Sequence, residues 1–168
     1  MLPVKKDTGV AIQSDALLGK RVLLAISGGI AAVESVKLAR ELRRHQADLT
    51  VIMSEEATKI ITPLAVSWGS DTTVHHGWNP KMSQLDGFDV TLIAPATRAT
   101  ISKHIHGIMD SPLMMALSAG RGQKSKLCFV PSMHTDLFDD PVTTDLLDAL
   151  QKEGSHVILN KVDEGKLK

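Results

Sequence analysis

The sequence predicts an α/β domain: a parallel sheet with helices packed on both faces, in three layers. Three observations carry this. Short continuous apolar runs recur along the chain: RVLLAI (21–26), LTVIM (49–53), DVTLIA (89–94), KLCFV (126–130) and HVIL (156–159). Strands buried on both faces read this way. Between these runs lie segments whose apolar residues fall at helical spacing. The two patterns alternate along the chain, which favours right-handed crossovers within a single sheet.

Each element has its own signal. After the first strand, Ser27-Gly28-Gly29 turns the chain into a helix over residues 30–44, with Ile30, Val33, Leu38 and Leu42 on one face. After the second, Ser54 followed by Glu55 and Glu56 reads as a capped helix start. Pro63 opens a short helix to about residue 68, at the position where its missing N–H costs nothing. Residues 72–75 form a short edge strand and residues 76–86 a polar loop. The third long strand ends at Pro95, and a helix over 97–106 follows, stopped by Gly107. Ser111-Pro112 starts a further helix to residue 119. The strand at 126–130 leads into the loop FVPSMHTDLFDDP, and an amphipathic helix over 142–153 precedes the last strand.

Composition narrows the function. The 168 residues suggest one domain, in which residues 1–18 form an N-terminal arm, 19–160 the folded unit and 161–168 a solvated tail. Lys plus Arg and Asp plus Glu are 19 each, so the net charge of zero gives no electrostatic reason to bind nucleic acid or an anionic membrane. No apolar run approaches a membrane span. The one cysteine, Cys128, excludes a disulfide framework within the chain and agrees with a cytoplasmic setting. Residues 1–20 lack the apolar core of a secretory signal. Aromatic residues are only 3% of the chain, so the core must be aliphatic.

In a doubly wound sheet, ligands bind beyond the carboxyl ends of the strands. Four such ends carry marked loops. Ser27-Gly28-Gly29-Ile30 opens a helix with free amides and suits a phosphate, although it is neither a dinucleotide fingerprint nor a P-loop. A tight strand-to-helix turn would look the same. Met53-Ser54 is the second loop. Pro95-Ala96-Thr97-Arg98-Ala99-Thr100 brings two hydroxyls to another helix start, where Thr97 also fits a simple cap. Met133 and His134 lie in the fourth. His104 and His106 point apart on a helix and make a poor metal pair, so no metal site is expected.

These four loops, in this order, resemble those of the homo-oligomeric flavin-containing cysteine decarboxylase family. The matching stretches are GKRVLLAISGGIAA (19–32), VIMSEEATKII (51–61), DVTLIAPATRATISKHIHGIMDSPLM (89–114) and VPSMHTDLFDDP (130–141). The resemblance implies a flavodoxin-like (Rossmann-like) fold that binds FMN, with the cofactor near subunit boundaries in trimers or dodecamers. It implies that Ser27, Gly28 and Gly29 hold the FMN phosphate with help from the Pro95–Thr100 loop, that Ser54 and Thr97 touch the flavin, and that Met133 walls its pocket.

The chain departs from that family's pattern. The family's catalytic His falls where this sequence has Lys81-Met82-Ser83-Gln84. His134 stands where the substrate loop carries an Asn that grips the substrate carboxylate. Ala99 replaces a flavin-facing Asn. Cys128 lies in a strand rather than in a C-terminal clamp. His75 or His76 could stand in for the missing base. These departures lead to the expectation of an FMN-dependent oxidoreductase acting on a small molecule, resembling dihydromethanopterin reductases, with His134 as its catalytic donor. The alternatives are a phosphopantothenoylcysteine or peptidyl-cysteine decarboxylase, and a non-catalytic flavin-binding regulatory subunit.

Overall fold

The structure, a computed structural model, describes residues 7–159 and the backbone of two short strands, Val162–Asp163 and Lys166–Leu167. The main sheet contains β1 (Arg21–Ile26), β2 (Asp48–Met53), β3 (Val74–His75), β4 (Val90–Ala96), β5 (Lys126–Pro131) and β7 (His156–Val157). Their order is β3-β2-β1-β4-β5-β7, and every pairing is parallel. Numbered within this sheet, the order is 3-2-1-4-5-6, that of a doubly wound nucleotide-binding fold. The architecture is therefore flavodoxin-like (Rossmann-like).

Alternation along β1 builds the two halves of the core. Leu23 and Ala25 face a cluster with Ile93, Ile101, Leu113, Leu117, Phe129, Leu146 and Leu150. These come from β4, β5 and the helices α4 (Arg98–Ile105), α5 (Pro112–Gly122) and α7 (Pro141–Lys152). Leu24 and Ile26 face the opposite cluster with Ala39, Val51, Met53, Ala57 and Val66. That side is covered by α1 (Ser35–Arg44), α2 (Glu55–Thr58) and α3 (Pro63–Ser70). Gly69 lets α3 cross α1 closely, since a Cβ there would sit 2.5 Å from the Val36 carbonyl oxygen. The strand order reverses direction between β1 and β4, so the crevice at their carboxyl ends is the switch point.

Several elements differ from the sequence reading. The helix expected over 30–44 is divided: Ile30–Glu34 is a 3-10 turn and α1 begins only at Ser35. β4 does not end at Pro95 but runs through Ala96. A register shift between Ile93 and Ala96 against β5 accommodates the proline, whose Ala94–Pro95 peptide is cis. The expected loop at 76–86 contains a 3-10 turn, Ser83–Leu85. The polar stretch after β5 is not a plain loop: it forms β6 (Met133–His134) and α6 (Thr135–Phe138).

Both chain ends are more engaged than expected. Residues 162–163 (β8) and 166–167 (β9) are not a free tail: their backbones build a three-stranded antiparallel sheet with β6, pairing Met133 with Leu167 and His134 with Lys166. A pairing so far along the chain has no local signal in a short, charged segment. The N-terminal arm is tied down as well. Gln13 N–H donates to the Arg44 carbonyl at 2.8 Å and Leu17 N–H to that of His45 at 2.9 Å.

Candidate functional site

Where β1, β4 and β5 end, a half-open cleft of about 950 Å³ lies against the 3-10 turn and the start of α1. Gly29, Ile30, Pro95, Thr97, Met133 and His134 line it, so three of the four loops singled out in the sequence meet there. Ala94, Val130 and Leu38 supply apolar wall.

Ser27 and its neighbours serve the architecture of the cleft more than its surface. Ser27 is fully buried. Its hydroxyl donates to the Pro95 carbonyl at 2.5 Å and accepts the Thr97 amide at 3.0 Å. The Ser27 oxygen expected to meet a phosphate is therefore consumed in tying the β1 loop to the end of β4. Thr97 lines the cleft but its hydroxyl accepts the Thr100 amide at 3.2 Å and donates to the Thr100 hydroxyl at 2.9 Å. Thr97 is thus the N-cap of α4, and Thr100 is buried behind it. Ala96 is wholly buried in the core. Ser54 accepts the Ala57 amide at 3.1 Å as N-cap of α2 and does not line the cleft.

With these hydroxyls spent, backbone amides remain as the donors for an anion. The first N–H groups of a helix have no intrahelical partner, and the 3-10 turn and α4 both start at the cleft rim. Gly28 keeps the first of these starts close to α2: a Cβ there would lie 2.5 Å from Glu56 Cβ and 3.1 Å from its carbonyl carbon.

His134 caps α6, its Nδ1 accepting the Asp136 amide at 3.3 Å, which leaves Nε2 to a ligand in the neutral ring. The same Nδ1 lies 3.4 Å from Asp136 Oδ2. Arg98, also in the lining, is bound through Nη1 to Asp140 Oδ2. The Val142 amide, then the Arg98 guanidinium, hold the Asp140 carboxyl below its usual range. His75 and His76 are outside the cleft of this protomer, and His75 Nε2 lies 3.4 Å from the Ser83 hydroxyl.

Two cleft residues escaped the sequence reading. Ser35 is 2% exposed, lines the cleft, and its hydroxyl has no hydrogen-bond partner among the described residues. The signal was present: Ala32, Ser35 and Ala39 share one buried helical face, and a serine among alanines there needs a partner. Arg98 looked like an ordinary first-turn residue. An orphan hydroxyl, two helix starts and an apolar wall are what the hydroxylated chain, phosphate and ring of a flavin nucleotide require, so the residues present fit FMN.

A doubly wound sheet with an amide-rimmed apolar cleft at its switch point defines a binder of a phosphorylated, ring-bearing cofactor. The chain belongs to the Flavoprotein family, whose profile matches residues 10–168. It is 37% identical over 172 aligned residues to the coenzyme A biosynthesis bifunctional protein CoaBC of Thermococcus kodakarensis, covering 94% of this chain and 41% of that protein. With the protein of that name from Methanocaldococcus jannaschii it shares 33% identity, over all of this chain and 41% of the relative. The chain thus spans about two-fifths of the length of these curated relatives. Among solved structures, the FMN-dependent cysteine decarboxylase SpaF superposes with a TM-score of 0.81 at 22% identity, covering 90% of this chain and 91% of that one. A phosphopantothenoylcysteine (PPC) decarboxylase mutant, complexed with pantothenoylaminoethenethiol, gives a TM-score of 0.74 at 22% identity, covering 88% and 87%. The FMN expected from the sequence agrees with this family and these neighbours. The same matches favour the decarboxylase alternative over the expected oxidoreductase, because similarity along nearly the whole chain outweighs departures at single positions.

Proposed function

We infer that this protein binds FMN in the cleft and uses it to decarboxylate an acyl-cysteine of the phosphopantothenoylcysteine type. The observation that carries this is the alignment of nearly the whole chain with proteins named for coenzyme A biosynthesis. Bound FMN supplies the two-electron acceptor that oxidises a substrate thiol ahead of carbon dioxide loss. The chain's own residues bind and orient. Backbone amides at Ile30–Ala31 and at the start of α4 take the cofactor phosphate, with Gly28 allowing the close approach. Ser35 satisfies its hydroxyl on the cofactor. Met133, Pro95, Leu38 and Val130 exclude water from the ring. His134 donates from Nε2 to the substrate carboxylate, where the family resemblance places an Asn.

A second copy of the chain completes the site in this reading. Ile30, Val33 and Leu137 are 68, 49 and 44% exposed at the cleft, an apolar rim that a neighbouring protomer would cover. One structural neighbour is described as a dodecameric decarboxylase, which supports a homo-oligomer. Among the described residues no helix is long and apolar enough to cross a membrane.

The test is direct. The purified protein should be yellow and carry FMN, and phosphopantothenoylcysteine should release carbon dioxide in its presence. Full flavin loading with no carbon dioxide from this compound or from a peptide ending in cysteine would overturn the reading.

A further inference from the structure

We propose that Arg98 recognises the phosphate group at the far end of an acyl-cysteine substrate, with Asp140 as its positioning residue. This rests on the decarboxylase reading and deepens it. Three residues with ionisable side chains line the cleft: Glu34, Arg98 and His134. Arg98 is the permanent cation among them. Glu34 lies 3.2 Å from Lys37, which partly neutralises it.

Burial separates the two ends of the cleft. Ala94 is 7% exposed and Pro95 is buried, which puts the apolar base beside the sheet. The Arg98 side chain, by contrast, is 32% exposed and reaches solvent. Its orientation is fixed from behind. Nη1 binds Asp140 Oδ2, while Asp140 Oδ1 accepts the Val142 amide at 3.1 Å and so is anchored at the start of α7. Asp140 is the only side-chain partner of Arg98 among the described residues, so Nε and Nη2 remain for a ligand oxyanion. A planar fork held this way suits two oxygens of one phosphate.

The chemistry decides which substrate anion it serves. The cysteine carboxylate loses its charge as carbon dioxide leaves. A guanidinium clamped on it would stabilise the ground state more than the transition state and slow the step. A terminal phosphate keeps its charge throughout, so gripping it strengthens binding without that penalty.

The experiment uses the FMN-loaded full chain and two probes, phosphopantothenoylcysteine and pantothenoylcysteine. Affinity is read from the perturbation of the flavin absorbance spectrum, independently of turnover. The wild-type protein should bind the phosphorylated probe roughly 10- to 100-fold more tightly. Arg98→Gln should erase that preference and leave affinity for the unphosphorylated probe unchanged. Arg98→Lys should keep part of it, and Asp140→Asn should weaken it without abolishing it. A preference that survives Arg98→Gln overturns the proposal. So does an Arg98→Gln protein that loses its preference for FMN over riboflavin, because the guanidinium would then serve the cofactor phosphate. Equal binding of both probes by the wild type overturns the role of Arg98 alone. Binding of neither probe removes the substrate class itself, and the role of Arg98 with it.

Discussion

Replacing Gly28 by alanine tests the packing behind the cofactor loop. The new Cβ would meet Glu56 Cβ at 2.5 Å and the Ala57 amide nitrogen at 3.3 Å. Carbon atoms in good contact lie about 3.5–4.0 Å apart, so the β1 loop and the first turn of α2 must separate by about 1 Å. Two of the opposing atoms are backbone, and no rotamer change relieves the clash. Overpacking of this kind costs about 1–3 kcal/mol, which lowers Tm by roughly 3–10 °C in a chain of this size. The same displacement moves the Ile30–Ala31 amides away from the proposed phosphate position. Loss of one charge-assisted hydrogen bond raises the Kd for FMN by roughly 10- to 100-fold. Thermal unfolding followed by circular dichroism and FMN titration by fluorescence quenching read the two effects separately. Gly77→Ala is the control, since a Cβ there meets nothing within 4 Å and the backbone is not left-handed. A Gly28→Ala protein that melts and binds FMN like this control would refute the reasoning.

Two further outcomes follow from the structure. Removing the Ser35 hydroxyl deletes a buried polar group with no protein partner, so Ser35→Ala should leave the apo-protein as stable as before, or more so, while FMN affinity falls several-fold; an unchanged affinity in equilibrium titration would show that the hydroxyl does not face the cofactor. The second concerns pH. His104 is wholly buried, its Nε2 is 2.6 Å from Glu153 Oε1, and its Nδ1 has no partner among the described residues. Burial pushes its pKa down against the pull of Glu153, and protonation would leave a second N–H stranded in the core. Below about pH 6.5 the unfolded chain therefore takes up a proton at this residue that the folded chain takes up only at lower pH. The stability this contributes is present above the unfolded pKa and falls, with decreasing pH, by up to about 1.4 kcal/mol per unit. Urea unfolding of the wild type and His104→Gln between about pH 7 and pH 5.5 should show a steeper decline in the wild type, and parallel curves would exclude the effect.

The local signals in this chain were strong where physics is local. Pro63, Pro112 and Pro141 stand at helix starts, and Thr62, Ser111 and Asp140 cap those helices through side-chain oxygens, as their residue types imply. Ile30, Val33 and Leu38 keep helical spacing, which predicts one continuous helix after Gly29, yet the chain first makes a 3-10 turn there. Spacing alone does not separate a tight turn from an α-helix over one turn. The pairing of β6 with β9 was invisible for another reason. A two-residue strand carries no period, and its partner lies over thirty residues away.

The site divides in the same way. Sequence alone determined that strands end in loops rich in glycine, proline and hydroxyl groups, and hence that the ligand site would gather at one rim of a parallel sheet. Which atoms face the ligand depended on the tertiary structure. Ser27, Thr97 and Ser54 spend their hydroxyls on the Pro95 carbonyl, the α4 cap and the α2 cap. Ser35 and Arg98, unremarkable in the sequence, reach the cleft with hydrogen-bonding capacity left over. A residue's type sets what bonds it can make. Only the packing of elements distant in the chain settles which of those bonds the protein itself has already used.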